Sequence, residues 1–67
     1  MATYRILARI ALIGPREYHI SVSAIPDDMQ TAVVRTAMEP TLSQAKARRD
    51  FLVMSLASEM RALGHQV

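Results

Sequence analysis

The sequence predicts an α+β fold in which an antiparallel three-stranded sheet, in β-β-β-α order, packs against one long C-terminal amphipathic helix. Apolar and polar residues alternate with a period of two through two segments in the first part of the chain. Proline and glycine separate these segments, and apolar residues recur at helical spacing towards the C-terminus. A chain of 67 residues has room for one hydrophobic core, so we expect a single domain over residues 1–67.

The first predicted strand runs from Thr3 to Ile13 and contains mainly β-branched and aliphatic residues. Gly14-Pro15-Arg16 then interrupts it, because proline cannot donate to a ladder and glycine tolerates the backbone angles of a reversal. The second strand, Glu17 to Ile25, alternates more cleanly, and the two should form a hairpin. The residues expected to face the core are Tyr4, Ile6, Ala8, Ile10 and Leu12 in the first strand, and Tyr18, Ile20, Val22 and Ala24 in the second.

The segment from Met29 to Glu39 fits two descriptions. Its β-branched residues favour a third strand, with Val34 and Met38 facing inward. Alternatively, Asp28 caps a short helix that ends before Pro40. The β-branched cluster makes the strand the preferred prediction.

Thr41 and Gln44 have the spacing of a capping box, which predicts a helix starting there and continuing to Leu63. Gly64 is placed to end this helix in the left-handed conformation. Arg49 falls within the apolar stripe, and we expect its guanidinium to reach water or a carboxylate such as Glu39. The stripe that should cover the sheet consists of Leu42, Ala45, Leu52, Val53, Leu56, Met60 and Leu63.

Composition restricts the chemistry and leaves the biological role open. The chain has no cysteine, a formal net charge of +2 and two histidines, so we expect neither a disulfide nor a cofactor. The first residues lack the features of a signal peptide, and Phe51 to Met54 is too short an apolar run to span a bilayer. We therefore expect a cytoplasmic protein that does not enter a membrane.

No catalytic or metal-binding motif is complete. Ser43 and Lys46 have the spacing found in penicillin-recognising enzymes, but a chain this short cannot build the two-domain cleft that those enzymes use. His19 and Glu17 share a strand face, and two groups do not form a closed zinc site. The sequence thus predicts a protein that is not an enzyme.

Basic residues suggest one binding function. Arg5, Arg9 and Arg35 are expected on the outer face of the sheet beside His19, where they could meet a nucleic-acid backbone. Cations near the positive end of a helix are slightly unfavourable, so an anion at the helix start would explain the basic residues there. The residues predicted for anion or nucleic-acid contact are Arg5, Arg9, His19, Arg35, Lys46 and Arg48.

A second stripe along the helix suggests protein interaction instead. Its members follow one another at intervals of four, three, four and four residues, on the side turned away from the sheet. A chain this small without disulfide or metal has a separate reason to associate. The leading hypothesis is a non-enzymatic interaction module forming a homodimer or binding another protein through Ala47, Phe51, Met54, Ser58 and Ala62.

Two families resemble the chain in the order of their elements. Gly14-Pro15 in the first turn, with Lys46, Arg48 and Arg49 in the helix, resembles the C-terminal part of double-stranded-RNA-binding domains, which implies RNA binding. Thr41-Leu42 followed by Gln44-Ala45 resembles HicB-like antitoxin domains, which implies a small toxin as partner. The chain lacks the first family's opening helix and the second family's Pro-Gly-Cys turn, so the sequence assigns neither.

Overall fold

A computed structural model describes residues 3–27 and 31–64 of the chain. It contains the strands β1 (Tyr4–Gly14), β2 (Glu17–Pro26) and β3 (Val33–Glu39), and the helix α1 (Leu42–Ala62). The strands form one antiparallel sheet in the order β1-β2-β3, with the helix against one face. The predicted fold class is confirmed.

The β1-β2 hairpin and its turn form at the predicted residues, but the unusual backbone angle of the turn falls on Arg16. Tyr4 pairs with Pro26 and Leu12 with Tyr18, and the register then shifts by one residue before Gly14 pairs with Glu17. Arg16, with a φ of 58°, adopts the left-handed conformation in this turn. The expectation that the glycine would supply the unusual backbone angle was therefore wrong.

The third element is a strand, so the alternative of a short helix is excluded over the described part of this segment. Asp28 and Met29, the proposed cap and the proposed strand start, lie outside the described residues. The prediction that Val34 and Met38 face inward was wrong by one residue. Ile20 pairs with Ala37 and Ala24 with Val33, which turns Val33 and Ala37 towards the helix. Val34 and Met38 lie on the other face and are 50% and 53% exposed. Since side-chain direction alternates along a strand, this one-residue difference reverses every side chain of β3.

The helix begins and ends close to the predicted residues. The Thr41 hydroxyl oxygen accepts from the backbone N–H of Gln44 at 3.2 Å, and the same hydroxyl donates to the Gln44 side-chain oxygen at 3.0 Å. At the other end, Gly64 has a φ of 91°, and its N–H donates to the carbonyl of Arg61. The left-handed residue at the C-terminus is confirmed, and the N-terminal cap forms through the threonine.

The hydrophobic core is small and centred on β2. Its fully buried residues are Tyr4, Ile20, Val22, Ala24, Ala45, Leu56 and Met60. The Tyr4 hydroxyl donates to the carbonyl of Ala57 at 3.3 Å, which links the start of β1 to the helix. All four inward-facing residues predicted for β2 pack as expected, with Tyr18 partly buried.

Other predicted core positions are exposed. Ala8 and Leu12 lie on the helix side of β1, yet both are exposed because β1 is an edge strand and the helix makes its most extensive contact with β2. Leu42 and Leu63 are 44% and 70% exposed, since they lie at the two ends of the helix, beyond the core. The predicted apolar stripe therefore covers the sheet only through its central turns.

The molecule is elongated and thin, with principal extents of 43 × 18 × 11 Å. Its radius of gyration is 12.9 Å, against roughly 11 Å for a compact chain of this length. Within the described ranges, no helix has both the length and the hydropathy needed to cross a membrane. Two layers this thin leave much apolar surface on the outside.

Candidate interaction surfaces

The outer helix stripe, defined as Ala47, Phe51, Met54, Ser58 and Ala62, lies on the solvent side of α1. All five residues are exposed. Phe51 is 61% exposed and Met54 is 72% exposed. Their positions follow from the helix geometry, because the residues opposite them on the helical wheel, Ala45, Leu56 and Met60, are buried against the sheet. The predicted location of the stripe agrees with the structure.

Two open grooves meet at Phe51. One has a volume of about 300 Å³ and is lined by Glu39, Gln44, Ala47, Arg48 and Phe51. The other, of about 570 Å³, is lined by Phe51, Met54, Ser55, Ser58, Glu59 and Ala62. The only phenylalanine of the chain thus stands between two depressions of the surface, each bordered by a charged residue.

Two ion pairs border the outer helix stripe on the side of β3. Arg48 Nε lies 3.0 Å from Glu39 Oε2, and Arg35 Nη2 lies 2.8 Å from Glu59 Oε1. These pairs are partly exposed, so each contributes little to stability. An apolar centre with a polar border is the usual arrangement of a protein interface.

The predicted basic surface is divided between different sides of the molecule. Arg5 and Arg9 are exposed on the outer face of the sheet, and His19 is half-buried on the same face of β2. The prediction for Arg35 was wrong. Because β3 turns the opposite face to the helix from the one predicted, Arg35 lies beside Val22 on the helix side and reaches Glu59.

The outer face of the sheet is also more apolar than the sequence prediction implied. Leu7 lies between the two arginines of β1, and β3 adds Val34 and Met38. The two tyrosines face the helix side and the phenylalanine lies on the helix, so none of the aromatic residues lies on this face. Sequence reasoning missed this patch. The available signal was Leu7, which alternates with the predicted core residues of the first strand and so belongs to its outer face.

The helix start contains an anion from the chain itself. Glu39 pairs with Arg48, whereas Arg49 was the residue expected to reach it. Arg49 pairs with its neighbour Asp50, at 3.2 Å. The reason is angular, because Arg48 lies on the β3 side of the helix and Arg49 is turned about 100° further round. Lys46 is exposed on the other side of the helix, so Lys46 and Arg48, either of which was predicted to lie beside an anion, are separated.

No cluster of three histidine, cysteine, aspartate or glutamate side chains suited to a metal ion occurs in the described part of the chain. His19 faces Ala11 on β1 and Met38 on β3 across the sheet. Its cross-strand neighbours are thus apolar, and they supply neither a second ligand nor a nucleophile.

Comparison of the chain with protein families, with curated proteins and with solved structures found no match. The likeness to double-stranded-RNA-binding domains and to HicB-like antitoxin domains remains a resemblance in the order of the elements.

Proposed function

We propose that this protein is a non-enzymatic interaction module that self-associates through the outer helix stripe. The observation that carries the proposal is the exposure of Phe51 and Met54, 61% and 72%, at the centre of a helix face with small residues on either side. Large aromatic side chains at the centre of an apolar patch are the residues that most often dominate binding energy.

The arrangement of residues along the stripe favours antiparallel packing of two copies. When the helices cross near Met54, Phe51 lies opposite Ser58 of the second copy and Ala47 lies opposite Ala62. Phe51 then meets a small residue on the second copy, and the pairing of the two alanines lets the helices approach closely. The same arrangement brings Arg48 within about one turn of Glu59 of the second copy, so the bordering charges are complementary.

The small core gives an independent reason for association. Among residues 3–27 and 31–64, seven hydrophobic residues are buried, whereas nine large hydrophobic residues are exposed. Burying apolar surface stabilises by roughly 25 cal/mol per Å². A second copy covering the outer helix stripe would therefore add stabilisation that the monomer lacks.

Nucleic-acid binding remains the alternative, with weaker support. Arg35, Arg48 and Arg49 each pair with a carboxylate of the same chain. Arg5 and Arg9 are separated from Lys46 by the thickness of the molecule, since they lie on the opposite side of the sheet from the helix. A phosphate backbone would thus meet few cations on any one surface.

Phe51→Asp tests the proposal. It removes the central aromatic side chain and places two carboxylates in the paired helix face. We therefore expect the dimer formed through the outer helix stripe to weaken by about 2 kcal/mol or more, roughly thirtyfold in Kd. Sedimentation equilibrium measures this change, and circular dichroism checks that the variant still folds.

Leu42→Asp is the matched control. Leu42 is an exposed apolar residue of the same helix, 44% exposed and outside the outer helix stripe. An aspartate in the first helical turn is favourable, so this variant should fold and associate like the wild type. Equal weakening by both variants, or a wild type that stays monomeric at high micromolar concentration, would contradict the proposal.

A further inference from the structure

The outer edge of β1 presents backbone groups that no strand covers in the described part of the chain. The N–H of Asp27 donates to the carbonyl of Thr3 at 2.8 Å, which identifies Thr3 and Asp27 as a hydrogen-bonded pair. Such pairs alternate along an antiparallel ladder. The backbone groups of Arg5, Leu7 and Arg9 therefore point towards β2, and those of Ile6, Ala8 and Ile10 point away from the sheet.

The opposite edge of the sheet, β3, has a different character. Arg35 and Glu39 of β3 both face the helix and form ion pairs with Glu59 and Arg48. Charged residues that point inward on an edge strand oppose pairing with another strand. β3 is also short, with 7 residues.

β1 has none of this protection. It has 11 residues, no proline, and only apolar residues at the positions that face the helix side. On that side Ala8 is exposed and Leu12 is 62% exposed, because the helix contacts β2 most. A long apolar edge strand of this kind is a template for pairing with another strand.

We propose that two copies of the chain pair antiparallel through β1, with Ala8 opposite Ala8 of the second copy, and join two three-stranded sheets into one of six strands. This interface is distinct from the outer helix stripe and does not depend on it. Pairing of the same surface on both copies about a twofold axis is the usual symmetry of a dimer.

The charged side chains of β1 restrict the register in which two copies of the strand can pair. Arg5 and Arg9 are the only charged residues of β1. Centring the pair on Arg9 places the two Arg9 side chains opposite each other, and centring it on Leu7 places Arg5 opposite Arg9; like charges directly opposite are destabilising. Centring on Ala8 places Arg5 opposite Ala11 and Arg9 opposite Leu7. Centring on Ile10 also avoids opposed arginines, but that register includes the irregularity between Leu12 and Gly14, whereas centring on Ala8 uses only the regular part of the strand before it.

The same register completes the apolar layer beside the helix. Leu12 lies opposite Tyr4 of the second copy, and Ile6 lies opposite Ile10. Ile6 and Ile10 are half-buried in the single chain, so pairing would extend the core across the new strand boundary. Exposed Leu12 gains a large apolar neighbour.

The helices do not compete with this pairing. A twofold axis perpendicular to the sheet places both helices on the same face. Because each helix contacts β2 most, they lie about three strand spacings apart, roughly 14 Å, which is wider than direct helix packing. Both outer helix stripes stay accessible, so the two interfaces together would build a dimer of dimers.

Ala8→Pro in the Phe51→Asp background tests the pairing. The proline removes the central outward N–H, and with it both hydrogen bonds between the two Ala8 residues, while leaving the bonds to β2 intact. We expect Phe51→Asp alone to remain a dimer and the double variant to dissociate, with Kd raised about tenfold or more. Sedimentation equilibrium with circular dichroism distinguishes dissociation from unfolding.

Thr36→Pro in the same background is the matched control. Thr36 pairs with Ser21, whose backbone groups point towards β1, so the N–H of Thr36 also points to an open edge, that of β3. This variant should stay dimeric. A monomeric Phe51→Asp protein, or equal effects of the two prolines, would overturn the β1 pairing. If Phe51→Asp left the assembly state of the wild type unchanged, only the helix interface would be overturned.

Disulfide crosslinking tests the register without relying on proline. The chain contains no cysteine. In the register centred on Ala8, Leu7 lies opposite Arg9 of the second copy in a non-hydrogen-bonded pair, where Cα atoms are about 4.5 Å apart and within disulfide reach. Oxidising a mixture of Leu7→Cys and Arg9→Cys should give the mixed disulfide above its statistical proportion. A statistical mixture, or an excess of either homodimer, would contradict this register.

Discussion

The pairing of the strands determines the backbone conformation of Arg16 and the ion-pair partner of Arg35. Arg16 takes the left-handed conformation because the shift of register between Leu12 and Gly14 moves the turn to Pro15 and Arg16. Arg35 reaches Glu59 because β3 turns Val33, Arg35 and Ala37 towards the helix, where Val34 and Met38 were predicted to face. In both cases the residue type gives no local indication of its position.

Arg16→Gly should stabilise the protein. A residue with a Cβ in the left-handed conformation costs about 1 kcal/mol, which glycine avoids. The greater conformational freedom of glycine in the unfolded chain offsets part of this stabilisation. We expect a net increase of about 0.5 kcal/mol in the free energy of unfolding, measured by urea denaturation. Arg16→Ala keeps the Cβ and should bring no gain, so a stabilised alanine variant would contradict this explanation.

At the scale of elements, nearby residues determine where the helix begins and ends, whereas contacts with β2 and the helix determine the register of β3. The Thr41 cap and the left-handed Gly64 need only the residues around them, because capping satisfies backbone groups of the same turn. The segment Val33–Glu39 contains adjacent β-branched residues that fit either face of a strand. Its register follows from Ala37 packing beside Ile20, together with the two ion pairs to the helix.

Thr41→Ala should lower the free energy of unfolding by about 1 kcal/mol, because it leaves the Gln44 N–H without its side-chain acceptor. Urea denaturation measures the loss. Thr41→Ser retains the hydroxyl and should stay close to the wild type. Similar losses in both variants would mean that the threonine methyl group, and not the cap, is responsible.

On the scale of the whole molecule, thin layers and a small core leave apolar surfaces of the single chain exposed. The exposed apolar residues fall on the outer helix stripe, the outer sheet face and β1, apart from Leu42 and Leu63 at the two ends of the helix. A protein only 11 Å across in its shortest dimension cannot bury them internally. Association is the remaining way to remove them from water.

The melting temperature of the wild type should therefore rise with protein concentration, because association stabilises only the folded state. Two concentrations about a hundredfold apart should differ by several degrees, since 1 kcal/mol shifts Tm by about 4–8 °C for a domain of this size. Differential scanning calorimetry measures the shift. The Phe51→Asp, Ala8→Pro double variant should melt at a temperature independent of concentration, and a wild type that does the same would argue against assembly.

The sequence by itself determined the fold class, the hairpin, the helix with both of its ends, and the outer helix stripe. These features depend on periodicity and on capping, which act over a few neighbouring residues. The tertiary structure decided the face of β3, the partners of Arg35 and Arg48, and the exposure of Ala8 and Leu12. The register of β3 depends on packing between distant residues, and the openness of β1 depends on where a single helix lies over three strands. Neither quantity is encoded in the local pattern of the chain.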